Sequence, residues 1–373
     1  MNNFYLKGKS LTTLTSMSPP YNIKLIIENV LIPNIFKEKE RNTNMRNVKI
    51  AAIQPNYLPL PEQYHCLGNN YNENLKEIMS AFVLPQLDVT FKLLQEAGRK
   101  NCDIVTTCEN IAGIYGFIID APEKTMFSEL VTLSQKIIEE ELSRISKQHN
   151  MYVIGCYFKF IDGNIYNVAS IFSRKGIIMG CYKKIQLPSD EKHQCLAGEN
   201  IEVFELDFGK IGISICYDMM FPEVEQVQAL KGAEIIFHPT AGYGWYDSIG
   251  EATLRTRAND NSVYIVTSKN NVFNHAGKSS IINFWGEVLV DAGFIENTIV
   301  YKDIDLDIEK TQPDWYFPIH TSGVKSVKER MRCERRPELY KIIGAPQEKK
   351  YEIPDLNKLS ELIDTIKSGG CHW

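Results

Sequence analysis

The 373-residue chain lacks an apolar run long enough to cross a bilayer. Its most apolar early stretch, residues 25–36, is broken by Glu28, Asn29, Pro33 and Asn34. That falls well short of the roughly 20 residues a span requires, and no small-residue cleavage site follows it. A basic stripe is also missing. Formal net charge is −5, and the densest cationic stretch, residues 325–336, also holds Glu329 and Glu334. Nucleic acid is therefore not an expected partner, because phosphate neutralisation needs clustered Lys and Arg. Neither GxGxxG nor GxxxxGKS occurs, which removes the usual nucleotide cradles. None of the nine cysteines forms a CxxC pair. That excludes a zinc ribbon or a thioredoxin-type centre. An odd number of scattered thiols in a long chain reads as a cytoplasmic, reducing setting. His193, His238 and His275 have no metal-ligand spacing, so no metal is expected.

What is present is an ordinary globular composition with one abrupt break. Residues 1–44 are rich in Asn, Thr, Ser, Lys and Pro, and a β-branched apolar text begins after Met45. The expectation is a disordered extension or a mis-assigned start over 1–44, a folded domain over 45–345, and a polar tail over 346–373. From residue 48 strand and helix patterns alternate. Strands are expected at 48–54, 102–109, 151–160, 203–206, 211–216, 234–238, 263–268, 279–284, 287–290 and 300–304. A hairpin is expected over 168–172 and 176–182. Helices are expected at 72–100 with a break at Pro85, at 128–148 capped by Ser128, at 222–231 and at 249–259. This order implies an α/β layered sandwich with mixed sheets.

Three strand ends carry chemistry. Cys102-Asp-Ile-Val-Thr-Thr-Cys-Glu109 places a carboxylate just past a buried strand. Gly180-Cys-Tyr-Lys-Lys-Ile-Gln-Leu-Pro188 places two lysines after another. Ile211-Gly-Ile-Ser-Ile-Cys-Tyr-Asp-Met-Met-Phe-Pro-Glu223 ends a third on a thiol. Reactive groups converge at strand ends in α/β sheets. Glu, Lys and Cys form a sufficient set: a thiol nucleophile, a carboxylate to take its proton, and a fixed cation for an oxyanion. Each alone also fits a plainer place, as core thiol, solvated lysine or helix cap.

Together these strings resemble the nitrilase, or carbon–nitrogen hydrolase, superfamily. The nucleophile string from Phe208 to Glu223 is very similar to the family's. Gly232-Ala-Glu-Ile-Ile-Phe-His-Pro-Thr240, Leu254-Arg-Thr-Arg-Ala-Asn-Asp-Asn-Ser-Val-Tyr-Ile-Val266 and Ile165-Tyr-Asn167 follow its pattern. There are departures: Gln186 stands where the family has His, Cys108 where it has Pro, and Ala197-Gly198 where it has Pro-Gly.

The resemblance implies a four-layer αββα sandwich that forms a homodimer or higher homo-oligomer. It implies Glu109 as base, Lys184 and the Tyr217 backbone N–H as oxyanion partners, Cys216 as nucleophile and Glu191 as a supporting second glutamate. No metal or organic cofactor is implied. Tyr217-Asp218 after the cysteine, rather than Trp-Glu, favours a small amide or N-carbamoyl substrate over a nitrile. A nitrile substrate, or a catalytically inactive scaffold, is the alternative. Thr240, Tyr243 and Trp245 read either as pocket residues or as a surface loop. Arg255 and Arg257 read as structural or interfacial.

Overall fold

The computed structural model describes residues 46–57, 71–120, 124–188, 190–241, 247–271, 277–308 and 327–346. The expected extension over 1–44 lies outside them, as do Tyr243, Trp245, His275 and the tail beyond residue 346. In chain order the elements are β1 (Asn47–Gln54), α1 (Tyr71–Ile78), α2 (Leu84–Arg99), β2 (Ile104–Thr106), α3 (Gly116–Asp120), α4 (Lys124–His149), β3 (Tyr152–Ile161), β4 (Asn164–Phe172) and β5 (Ile178–Lys183). The second half holds β6 (Val203–Leu206), β7 (Gly209–Ile213), α5 (Pro222–Leu230), β8 (Ile235–Thr240), α6 (Asp247–Asn261), β9 (Tyr264–Lys269), β10 (Ser280–Ile282), β11 (Val288–Asp291), β12 (Thr298–Asp305) and α7 (Val327–Cys333).

Two six-stranded sheets result, ordered β12-β1-β2-β3-β4-β5 and β11-β10-β9-β8-β7-β6. Each has a central parallel triplet, β1-β2-β3 and β7-β8-β9, flanked by antiparallel strands. Side-chain alternation explains the layers. Along β1, Val48, Ile50 and Ala52 face the second sheet, where they meet Ile213, Phe237 and Val266. Ala51 and Ile53 face outward onto a core shared with Leu87 and Leu94 of α2 and with Leu130 and Leu142 of α4. On the other outer face, Ile236 and Ile265 pack on Ala229 of α5 and on Leu254 and Ala258 of α6. The architecture is the αββα sandwich implied by the sequence.

Local differences from the sequence reading have physical causes. Helix α4 begins at Lys124, so Ser128 lies inside it rather than capping it. Burial of Met126 and Phe127 supports the extra turn. At Pro85 the helical run does not stop. A π-helical segment, Met79–Val83, runs directly into α2, with Pro85 its second residue; such a widened turn is one of the ways a helix absorbs an irregularity in its i→i−4 ladder. Strand β4 starts at Asn164 because Asp162 and Gly163, both at positive φ, turn β3 directly into it, the geometry of a tight hairpin.

The strand directions place the chemistry. Strand β5 is antiparallel to β4, which is antiparallel to β3. It therefore ends on the same edge of its sheet as β2. Glu109 and Lys184 accordingly emerge together at one end of the sandwich. The opposite end is tied across the sheets by Arg46, which bridges Glu234 at 2.8 Å and Asp307 at 2.9 Å.

Candidate active site

Lys184 is the centre of a buried ionic cluster. Its Nζ lies 2.8 Å from Glu109 Oε1 and 2.9 Å from Glu191 Oε1. The three side chains are 1%, 2% and 0% exposed, so none is a solvated surface charge. Asn167 Nδ2 donates to the same two oxygens, at 2.9 Å each. The backbone N–H of Ala241 donates to Glu109 Oε2 at 3.0 Å. The Cys216 thiol lies beside the Glu109 carboxylate and the Thr240 side chain, close enough for both to act on its proton. Glu109, Lys184, Glu191, Cys216 and Thr240 are thus assembled at one place. A chain of buried hydrogen bonds of this kind fixes rotamers as well as charge.

Each member is held by its local structure. Lys184 follows β5, and its backbone N–H donates to Asn167 O at 2.9 Å. Glu191 opens a short 3-10 turn, Glu191–His193. The preceding Asp190 accepts a 2.5 Å hydrogen bond from Tyr115, in the segment just after Glu109. Cys216 begins a second 3-10 turn, Cys216–Met220, at φ 46°. That left-handed conformation is costly for a residue with a Cβ and marks an over-determined position. Asp218 supplies much of that determination. Its Oδ2 accepts from Ile215 N–H at 2.9 Å and from the Tyr182 hydroxyl at 2.8 Å. Its Oδ1 accepts from Gln186 N–H at 2.7 Å and Ile185 N–H at 3.2 Å.

The protonation pattern separates the two glutamates. Burial works against the Glu109 charge, but the Lys184 cation and hydrogen bonds from Lys184, Cys216 and Asn167 outweigh it and hold its carboxyl below the ordinary range. Burial, with the Glu109 charge adding to it, pushes Glu191 up to about 7 despite Lys184. Lys184 is raised: burial opposes its charge, and the two glutamates overcome that. Burial and the Glu109 charge push the Cys216 thiol up to about 12, so the resting sulfur carries its proton. Two carboxyl groups driven apart in this way are the usual basis of acid–base division of labour.

Three partners escape a reading of the sequence alone. Asn167 stands out there only as part of a family-like string, and Asp218 only as a marker after the cysteine. The Ala241 N–H cannot be read at all, since a backbone donor leaves no residue signature. Tyr217 itself is exposed and stacks edge-on against Phe221, with ring centroids 5.5 Å apart. Among the described residues no cluster of His, Cys, Asp and Glu is built to hold a metal. No helix among them is long and apolar enough to cross a membrane.

Behind the strand that leads to Cys216 lies a further buried acid, Glu225. Burial pushes Glu225 up to about 8, and Ser214 and the Arg257 guanidinium, 3.8 Å away, do not offset it. Asp218 is pushed by burial to about 6. His238 is driven the other way, to about 3, by burial and the Lys269 charge. An acid raised in the folded state binds its proton more tightly there, so its stabilising contribution fades as pH rises. Glu191, Asp218 and Glu225 act together above their ordinary values near 4. His238 contributes oppositely, losing stability as pH falls below 6.5, but it is one group against three. The urea midpoint should therefore fall as pH rises from about 5 to about 8. Glu225→Gln should flatten the upper part of that decline, by up to about 1.4 kcal/mol per pH unit. An unchanged slope in the variant would place the titration elsewhere.

The carbon–nitrogen hydrolase family profile matches residues 49–312. The chain is 33% identical to the omega-amidase NIT2 of Homo sapiens over 233 residues, 57% of this chain and 80% of that protein. It is 31% identical to omega-amidase NIT2-B of Xenopus laevis over 240 residues, covering 59% and 83%. Among solved structures, a carbon–nitrogen hydrolase from Helicobacter pylori G27 shares the fold with a TM-score of 0.60 at 20% identity, over 80% of this chain and 98% of that one. A variant of the amidase from Nesterenkonia sp. AN1 has a TM-score of 0.57 at 17% identity, over 79% and 96%. It carries the acetamide moiety of fluoroacetamide added covalently at its active-site cysteine. The chain belongs to the carbon–nitrogen hydrolase family, within the nitrilase superfamily, and resembles its amidase members.

Proposed function

We propose that this enzyme hydrolyses the amide or N-carbamoyl bond of a small linear substrate through a thioester on Cys216. Glu109, Lys184 and Cys216 form the triad, with Glu191 in support. The observation that carries the reading is the contact set of one carboxylate. Glu109 lies beside the Cys216 thiol and is held by Lys184 at 2.8 Å. A base, a cation and a nucleophile therefore stand side by side.

Glu109 takes the thiol proton as sulfur attacks the carbonyl carbon. The oxyanion rests on Lys184 Nζ and the Tyr217 N–H. That N–H sits in the first residues of a 3-10 turn, which have no acceptor within the turn. Collapse breaks the carbon–nitrogen bond, and ammonia or an amine leaves with the proton from Glu109. Glu109 then takes a proton from water, and the hydroxide attacks the thioester. The carboxylic product leaves as the sulfur regains its proton. Glu191 supports the second step by balancing Lys184 as Glu109 changes charge. Thr240, beside Cys216, lines the near side of the pocket, and Tyr243 and Trp245, a few residues further along the sequence, are assigned to the same pocket. The omega-amidase names of the relatives and the acylated cysteine of the Nesterenkonia enzyme support an amide over a nitrile.

The test is ammonia release from a panel of small amides, N-carbamoyl amino acids and nitriles, run beside Cys216→Ala. Release is expected from an amide or carbamoyl compound, with a loss of at least about 10⁴-fold in the variant. Release from nitriles alone would overturn the substrate assignment. Equal release by the variant would remove Cys216 from the chemistry.

A further inference from the structure

Lys184 hangs from one sheet and Cys216 from the other. Their separation is therefore set by how the two sheets meet at this end of the sandwich. Most of that meeting is apolar packing of Ile, Val and Phe side chains. Such packing is strong but non-directional, so it does not by itself fix a spacing to tenths of an ångström. Asp218 is directional, and it touches both sides. It is 0% exposed. On the lysine side it accepts from the Tyr182 hydroxyl and from the N–H groups of Ile185 and Gln186, the two residues that follow Lys184. On the nucleophile side it accepts from the N–H of Ile215, the residue before Cys216.

We propose, on the reading of Glu109, Lys184 and Cys216 given above, that Asp218 is a positioning residue that sets the spacing between Lys184 and Cys216. It does so by hydrogen-bonding the backbone beside each of them. All four of its partners are donors. A carboxylate presents acceptors only, so one side chain can serve all four. Its low exposure makes every missing bond costly. The left-handed Cys216 is braced by the same tie, because Ile215 and Asp218 bracket it. Charge-assisted bonds of this sort are the stronger kind. A loosened tie would let the oxyanion slip away from the Lys184 ammonium.

Asp218→Asn isolates this role, because it keeps the shape and removes one acceptor. The remaining oxygen keeps the two N–H groups of Ile185 and Gln186. The amide NH₂ then faces the Ile215 N–H, donor against donor, while the Tyr182 hydroxyl can turn to accept. The Ile215 side of the tie is the one that breaks. Three measurements follow: kcat and KM for ammonia release, the melting temperature, and the ratio of Cys216 alkylation rates with iodoacetate and iodoacetamide.

Lys184 attracts the anionic reagent and Glu109 repels it, in native protein and variant alike. Loss of the Asp218 charge by itself can only raise the preference, so a fall in the ratio reports a wider lysine–sulfur spacing without any turnover. Expected for Asp218→Asn is a kcat loss of about 10²-fold, with KM changed by less than about threefold. The iodoacetate preference is expected to drop by about threefold or more. Tyr182→Phe removes one donor of four and should lower kcat by less than about tenfold, which keeps the test alive if Asp218→Asn folds poorly. An unchanged reagent ratio overturns the proposal whatever kcat does. So does a parallel fall of both alkylation rates and the melting temperature, which would mark a role in folding only. Absence of ammonia release from the wild type would refute the amide reading alone, and the reagent ratio would still decide the case of Asp218.

Discussion

Replacing Lys184 by Met should lower ammonia release by about 10³-fold or more and destabilise the fold by about 3–5 kcal/mol. Met keeps much of the reach of the side chain and none of its charge. In the native cluster Nζ sits 2.8 Å from Glu109 and 2.9 Å from Glu191, all three nearly fully buried. Without it, two carboxyl oxygens converge on the single Nδ2 of Asn167. Two buried carboxylates this close cannot both stay ionised. One takes a proton, and Glu109, no longer held down by Lys184, rises toward the behaviour of Glu191. The base is then protonated at neutral pH, and the oxyanion has lost its cation. The stability loss should deepen with rising pH, since alkali forces the second ionisation, and should shrink toward pH 5. Urea titrations at three pH values beside the ammonia assay would check both parts. A variant with native stability and more than a tenth of native activity would refute the central place given to Lys184.

The parts of this site that could be read from sequence are those that end apolar runs. Glu109 and Cys216 lie just past short, largely buried strands and Lys184 just past the half-buried β5. Each alone also fits a plainer place, and it is the three together, with the family resemblance, that mark the site. The layers were legible for a similar reason, because alternation along the strands and the 3.6-residue period along the helices record which face is buried. Glu191 was different. It belongs to no strand, only to a loop string, and it entered through the family resemblance rather than through periodicity. Asn167 sits mid-strand, and its reach to two glutamates depends on the register of β4 against β3 and β5, which pairing sets and local sequence does not. The positive φ of Cys216 was equally hidden, because no glycine or asparagine announces it. It comes from ties made by Asp218, whose lysine-side partners are about thirty residues away in the chain. Tertiary burial also moved the start of α4 and kept the helix running through Pro85, against local cap and breaker signals.

Glu109→Gln should abolish turnover almost as completely as loss of Lys184, by about 10³–10⁴-fold, yet cost the fold only about 1–2 kcal/mol. The difference lies in what remains charged. The substituted side chain would keep an oxygen for Lys184 and Asn167, and its NH₂ would face the Ala241 N–H, sacrificing the 3.0 Å bond made there. Lys184 keeps Glu191 at 2.9 Å. Glu191 is pushed up by burial and by the Glu109 charge. Removing that charge lets it ionise more readily, and a single balanced pair replaces the lopsided trio. The cluster stays neutral, so the fold survives. The thiol does not benefit in the same way. It loses the anion that raised it, but also the group placed to accept its proton. Iodoacetamide labelling of Cys216 should therefore slow near pH 7 and climb steeply toward alkali, where sulfur ionises without help. Measured side by side, the two variants separate charge balance from proton transfer. Both lose activity, and only Lys184→Met loses the fold's margin. If Glu109→Gln kept a tenth or more of native turnover, the proton would have to go elsewhere, and Glu191, joined to Glu109 through Lys184 and Asn167, would be the acceptor to test next.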